Sequence, residues 1–98
     1  MFVHTVFFWL KPGLTADEEK QFVAGVNSLL TISSMKQGWV GKPADTSREV
    51  IDRSYSYGLT TVFADEAGHD AYQVDPIHDR FRDIHHLWTG VKIYDYVT

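Results

Sequence analysis

The sequence predicts an α+β fold whose elements follow one another in the order β-α-β-β-α-β. Three observations support this prediction. Segments 2–11 and 54–64 are rich in β-branched and aromatic residues, which is typical of strands. Segments 15–32 and 75–88 carry apolar residues at helical spacing, and a further apolar run, 91–97, follows the second of them. This order is that of the ferredoxin-like folds, and the 98 residues are enough for one such domain.

The first predicted strand, residues 2–11, is apolar on both of its faces. One face carries His4, Val6, Phe8 and Leu10, and the other carries Val3, Thr5, Phe7 and Trp9. A strand without a polar face is buried on both sides, whereas the helices of this fold cover only one face of the sheet. We therefore predict that a second copy of the chain covers the other face, which makes a homodimer. A monomer with some exposed apolar residues is the alternative.

The first helix is predicted over 15–32. Thr15 and Glu18 have the spacing of a capping box at its start. The apolar residues of its inner face are Phe22, Val23, Val26, Leu29 and Leu30. After it, residues 38–43 are predicted to form a short strand, and the polar stretch 44–53 is predicted to be a surface loop.

Two helices are predicted in the second half of the chain. The shorter one covers about 66–74, and Asp75 followed by proline begins the longer one, 75–88. Its apolar stripe consists of Ile77, Phe81, Ile84 and Trp88, while Asp79, Arg82, Asp83 and His86 are predicted to face water. Gly90 is expected to end this helix before the last strand, 91–97.

Composition argues against several classes of function. The chain has 13 acidic and nine basic residues and a formal charge of −4, so it has little attraction for phosphate backbones or anionic lipid, and we expect neither nucleic acid nor a membrane as a partner. Without cysteine it has no disulfides, no thiolate zinc site and no thiol nucleophile. The apolar stretch at the N-terminus lacks the features of a signal peptide, so a cytoplasmic location is expected.

His78 is the most informative candidate for chemistry. It lies near the start of the last predicted helix, where the helix dipole disfavours the imidazolium ion, and a neutral imidazole can act as a general base. Asp75 opposes this effect by stabilising the cation. Tyr72, six residues before His78, is placed to meet it across the Asp75-Pro76 corner. The alternatives are a local hydrogen bond for His78 and a core position for Tyr72.

His4 is a second candidate, because a histidine on an apolar strand face needs a hydrogen-bond partner; a structural role is the alternative. The hydroxyl of Tyr57 is a candidate for lining a cavity. A metal site is not predicted, because His78 and His85 are two turns apart, about 10 Å along a helix, and cannot share one ion. No cofactor is expected.

Four segments in this order, FVHTVFFWLK, TTVFAD, AYQVDPIHDRF and KIYDYV, resemble the stress-responsive A/B barrel domain family, the Dabb group. The resemblance spans nearly the whole chain. It implies a ferredoxin-like protomer whose sheet packs on the sheet of a second copy, so that the homodimer is a dimeric α/β barrel. It implies less about activity, because many members of the family have none assigned.

Plant polyketide cyclases of that family are similar to this chain at three positions, which are His4, Tyr72 and His78. The resemblance implies a cofactor-free aldol cyclisation in which His78 abstracts a proton next to a carbonyl while Tyr72 orients His78 and the substrate. The chain departs from the cyclases at Tyr57, where the cyclase has a histidine, and it carries Asp75 where family members often have a histidine.

The expected binding site is a pocket between the helices and the sheet. We expect it to be lined by Val6, Phe8, Val23, Val26, Tyr57 and Phe81, with the two first-helix valines smaller than the corresponding cyclase residues. The leading hypothesis is a homodimer that binds a small apolar or aromatic molecule there. A cofactor-independent cyclase or isomerase that uses His78 as general base with Tyr72 is the second hypothesis. A non-catalytic, stress-related structural protein is the third.

Overall fold

The computed structural model describes residues 1–98. Four strands form one antiparallel sheet: β1 (Phe2–Leu10), β2 (Gln37–Gly41), β3 (Tyr57–Phe63) and β4 (Trp88–Val97). The three helices are α1 (Ala16–Ser28), α2 (Glu66–Gln73) and α3 (Pro76–Arg82), and 3-10 turns at Leu29–Thr31 and His85–Leu87 follow α1 and α3. The strand order β2-β3-β1-β4 and the order of elements along the chain confirm the predicted ferredoxin-like α+β fold.

Strand β1 lies in the middle of the sheet and pairs with both β3 and β4, with Val6 opposite Leu59 on one side and Ile93 on the other. We call the side that packs against the helices the helix face, and its residues include Phe2, His4, Val6, Phe8, Leu59, Thr61, Phe63, Val91, Ile93 and Asp95. We call the other side the open face, and its residues include Val3, Phe7, Trp9, Trp39, Thr60, Lys92, Tyr94 and Tyr96.

Helix α1 begins as its sequence predicts and supplies the centre of the core. The Thr15 hydroxyl accepts a hydrogen bond from the Glu18 backbone N–H at 3.1 Å, and the Glu18 carboxylate accepts one from the Thr15 N–H at 3.0 Å. Phe22 is completely buried. Its ring centroid lies 5.3 Å from those of Phe8 and Tyr57, so this one side chain joins α1 to the helix face of the sheet.

The boundary between α3 and β4 differs from the prediction. Helix α3 ends at Arg82, and Trp88 already belongs to β4, where it pairs with Leu10. Gly90 therefore does not end a helix; it lies within β4, opposite Trp9. The indole of Trp88 still stacks on the ring of Phe81, with centroids 4.9 Å apart, so the apolar contact implied by the helical stripe is made from a strand instead.

The open face and the edge strand β4 keep large side chains in contact with solvent. Trp39, Tyr94 and Tyr96 on the open face are 53%, 55% and 58% exposed. On the other side of β4, Val91 and Ile93 are about half exposed as well. None of the helices combines the length and the apolar character needed to cross a bilayer.

Candidate functional site

A cavity of about 220 Å³ lies under α3, against the part of the helix face formed by β1 and β4. Its walls are mostly apolar and are formed by Val6, Phe8, Leu29, Leu59, Phe81, Trp88, Val91 and Ile93. Four polar side chains, Tyr72, Gln73, His78 and Arg82, complete the lining. An apolar body with a few converging polar groups is the usual character of a small-molecule site.

Three of the six residues predicted to line a pocket are found around this cavity, namely Val6, Phe8 and Phe81. The other three, Val23, Val26 and Tyr57, are not among the residues that line this cavity. The reason is the position of α1, which packs against β2 and α3 rather than over β4. Val26 is completely buried in the core, Val23 packs against that core, and the Tyr57 ring lies against Phe22.

His78 is brought to the cavity by the start of α3. The Asp75 carboxylate accepts a hydrogen bond from the Ile77 N–H at 2.8 Å, and Pro76 occupies the first helical position. The His78 ring meets the Tyr72 ring edge-on, with centroids 4.8 Å apart and planes at 89°. The contact predicted across the Asp75-Pro76 corner is therefore present, although it is a ring contact and not a hydrogen bond.

The environment of His78 favours the neutral ring. Burial lowers the pKa of His78, and the nearby positive charge of Arg82 lowers it further. Its Nδ1 atom is buried and has no hydrogen-bond partner in the protein. Buried polar atoms without a partner are uncommon in proteins and occur at catalytic and ligand sites. A neutral imidazole with an unused ring nitrogen is suited to accepting a proton.

Tyr72 lies in the wall between two imidazoles. Tyr72 is 1% exposed, and its ring centroid lies 6.0 Å from that of His4 and 4.8 Å from that of His78. Burial raises the pKa of Tyr72, so its hydroxyl keeps its proton across the physiological range. The hydroxyl takes no part in the hydrogen bonds of the protein and can donate one to a ligand.

His4 has the partner that its position requires, and sequence reasoning did not find it. The β1–β4 register places Asp95 directly opposite His4, and the His4 Nδ1–H donates to the Asp95 carboxylate over 2.5 Å. One signal was available in the sequence. Asp95 follows Val91 and Ile93 at a spacing of two, so a carboxylate continues the apolar face of a strand.

Two hydrogen bonds link Arg82 at the cavity to His69, whose ring lies next to that of His4. Arg82 Nη2 donates to Gln73 Oε1 over 3.0 Å, and Gln73 Nε2 donates to His69 Nε2 over 3.0 Å. The His69 ring lies 4.6 Å from the ring of His4. The Arg82 side chain is 48% exposed, in keeping with the prediction that it faces water, and it also contributes to the lining of the cavity. Burial lowers the pKa of His69, as does the neighbouring His4.

His4, His69 and Asp95 also have the composition of a metal site, since their ligand atoms lie within 4.8 Å of one another. These ligand atoms already take part in hydrogen bonds, however. His4 donates to Asp95, and the Gln73 amide donates to the lone pair of His69 Nε2. The geometry therefore favours a hydrogen-bonded cluster over a metal centre.

Comparison with known proteins identifies one family and several related folds. The family model of the stress responsive A/B barrel domain matches residues 2–98. None of the curated proteins matches the chain.

Among solved structures, a Dabb family protein with a ferredoxin-like fold from Mesorhizobium loti is 28% identical, with 99% of this chain and 95% of that chain covered and a TM-score of 0.78. A dimeric ferredoxin-like protein of unknown function from Thermobifida fusca is 18% identical over 99% and 90% of the two chains, with a TM-score of 0.79. The hydroxynitrile lyase of Passiflora edulis is 21% identical over 99% and 92%, with a TM-score of 0.78. The latter two similarities concern the fold alone.

Proposed function

The chain belongs to the stress-responsive A/B barrel domain family, and from that premise we propose that it is a homodimer that binds a small apolar or aromatic molecule in the cavity under α3. The main observation in support is the cavity itself, whose apolar walls meet four polar side chains. Its volume of about 220 Å³ is below the roughly 300–1,000 Å³ of typical ligand pockets. The ligand is therefore a small molecule rather than a nucleotide-sized cofactor.

The homodimer is supported by the open face of the sheet. Phe7, Trp9 and Tyr94 line one side of a hollow there, and Trp39 and Tyr96 add further exposed rings. Contiguous apolar surface of this kind marks interaction sites on proteins. A second copy that packs its own open face here gives a two-fold symmetric pair, and the Thermobifida fusca protein of similar fold is itself dimeric.

Binding is tested with 4-propylbenzamide as the probe, titrated by calorimetry. Val91→Trp adds a large ring to the cavity wall at a half-exposed position, so it is expected to weaken binding by about tenfold or more without unfolding the chain. Val97→Trp is the matched control, because Val97 lies on the same side of β4 but outside the cavity. Absence of binding by the wild type, or equal loss in both variants, would overturn the proposal.

Proton-transfer catalysis is the second candidate, and the observation that favours it is the contact of His78 with Tyr72. In this scheme His78 takes a proton from the carbon next to a carbonyl group, and the Tyr72 hydroxyl donates a hydrogen bond to the oxygen of the resulting enolate. In an isomerisation His78 returns the proton to another carbon, and in an aldol ring closure it gives the proton to the alkoxide oxygen formed when the enolate carbon attacks a second carbonyl group, so no oxidant or cofactor is consumed. His4, held by Asp95, lies beyond Tyr72 as a further polar group.

This second function is tested by the exchange of the α-hydrogens of 4-phenylbutan-2-one for deuterium, followed by NMR. Wild type is expected to accelerate the exchange, and His78→Ala and Tyr72→Phe are expected to remove the acceleration. His85→Ala serves as the control, since His85 is exposed and bonds only to the Arg82 carbonyl. Equal exchange in wild type and His78→Ala would remove His78 from the mechanism. If the wild type binds the probe but does not accelerate exchange, the binding proposal alone stands. If it does neither, a stress-related structural role remains.

A further inference from the structure

The lining of the cavity holds a single fixed charge. Arg82 is its only charged side chain, and no carboxylate lies among the twelve lining residues. The chain as a whole carries a formal charge of −4, so its overall field repels anions. Any preference for an anion in this cavity must therefore come from local contacts, and Arg82 is the residue that can make them.

The guanidinium of Arg82 is held in place by two hydrogen bonds, but not all of its N–H donors are used. Nη1 donates to the Asp79 carboxylate over 2.9 Å, and Nη2 donates to Gln73 Oε1 over 3.0 Å. A guanidinium has five N–H donors, so these two bonds leave others for a ligand. The Asp79 side chain is 65% exposed and that of Arg82 is 48% exposed, and an ion pair between exposed side chains is only weakly stabilising. Asp79 is therefore a weak competitor for a ligand carboxylate.

The neighbouring polar groups suit a negatively charged head. The Tyr72 hydroxyl keeps its proton and has no hydrogen-bond partner in the protein, so it is free to donate a hydrogen bond to a ligand. Gln73 is held with its carbonyl oxygen toward Arg82, so it does not present that acceptor to the cavity. The rest of the lining is apolar apart from the imidazole of His78. A cavity with hydrogen-bond donors and otherwise apolar walls suits a ligand that has a polar head and an apolar body.

We propose that the cavity selects small molecules with an apolar or aromatic body and an anionic oxygen head, a carboxylate or an enolate, and that Arg82 determines this specificity. The inference rests on the proposed binding function of the same cavity and narrows its ligand class. A planar guanidinium can hold both oxygens of a carboxylate at once, while the body of the ligand lies against Phe8, Phe81 and Trp88.

The test compares two probes of nearly equal size, 4-propylbenzoate and 4-propylbenzamide, titrated by calorimetry at physiological salt. Wild type is expected to bind the benzoate about tenfold or more tightly than the benzamide. Arg82→Gln is expected to bring the two affinities together, because it removes the charge that favours the benzoate and so weakens benzoate binding by about tenfold more than benzamide binding. Arg80→Gln changes the net charge by the same amount at an exposed residue outside the cavity, and it is expected to keep the preference.

A second variant tests the role of Arg82 independently, in case Arg82→Gln does not fold. Asp79→Asn removes the competing carboxylate, so it is expected to strengthen benzoate binding and leave benzamide binding unchanged. Equal affinities for the two probes in wild type, or a preference that survives in Arg82→Gln, would overturn the role of Arg82 and leave the binding proposal standing. If neither probe binds to the wild type, the binding proposal and the inference that rests on it both fail.

Discussion

The two faces of the sheet carry similar side chains in very different environments. On the helix face, Phe8 is 3% exposed and Phe63 is completely buried, whereas Trp39 and Tyr94 on the open face are 53% and 55% exposed. Strand β1 contributes aromatic residues to both. The rings of the helix face stabilise the single chain, and those of the open face are available for contact with another. The large aromatic content therefore divides into a buried core and an exposed surface, and the proposed function assigns the exposed surface to assembly.

The first way to test this division is to remove one ring from the core. Phe22→Ala is expected to lower the free energy of unfolding by about 3–5 kcal/mol, because a completely buried phenylalanine is lost and a cavity is left. Chemical denaturation at several protein concentrations measures the part that belongs to the single chain.

Trp39→Ala is the matched change on the open face. It removes a larger ring, yet the single chain is expected to lose less than about 1 kcal/mol, because that ring is 53% exposed. Equal losses for Phe22→Ala and Trp39→Ala, independent of protein concentration, would show that the two faces do not differ in this way.

The second test places a charge on the open face. Tyr94→Glu is expected to weaken the proposed dimer by about tenfold or more, because an unpaired carboxylate would be buried between two copies. Sedimentation velocity measures the change. Val74→Glu, at an exposed position at the end of α2 on the helix side of the sheet, is expected to leave assembly unchanged. A wild type that stays monomeric at micromolar concentration would contradict the assignment of this face to assembly.

The smallest expected effect concerns pH and involves the helix face alone. The pKa values of His69 and His78 are lowered by burial, so the unfolded chain binds more protons than the folded one between the folded value and about 6.5. Stability is therefore fully present above about pH 6.5, falls as the pH drops toward the folded pKa values, and levels off below them.

Thermal unfolding at about pH 7.5 and about pH 5 measures this loss for wild type. The double variant His69→Gln, His78→Gln is expected to lose less stability over that interval, while His86→Gln, an exposed position, is expected to behave like wild type. If the double variant shows the same pH dependence as wild type, other groups cause it.

Local sequence patterns predicted the elements well, and they predicted the meeting of Tyr72 with His78 because only six residues separate the two. The end of α3 was not predictable in this way. Ile77, Phe81, Ile84 and Trp88 keep a helical period, but pairing of Trp88 with Leu10 takes it into the sheet. Long-range strand pairing therefore overrides a local period.

The parts of the site that were missed all depend on tertiary position. Asp95 meets His4 only through the β1–β4 register, across most of the chain. Arg82 lies on the outer side of a helical wheel, yet its long side chain reaches Gln73 and the cavity. Val23 and Val26 are on the inner face of α1 as expected, but a wheel does not show over which strands that helix lies.

Strand β4 has a consequence for how this protein can change during evolution. From Gly90 onward its even-numbered residues lie on the open face and its odd-numbered residues lie on the helix face, where Val91 and Ile93 line the cavity. Substitution of odd-numbered residues can change the wall of the cavity while the open face stays the same, and the reverse also holds, so the proposed ligand and the proposed partner surface can diverge independently. Insertion or deletion of one residue would exchange the sets and place Lys92 and Tyr94 in the cavity. Length variation within this strand is therefore expected to be far rarer than substitution.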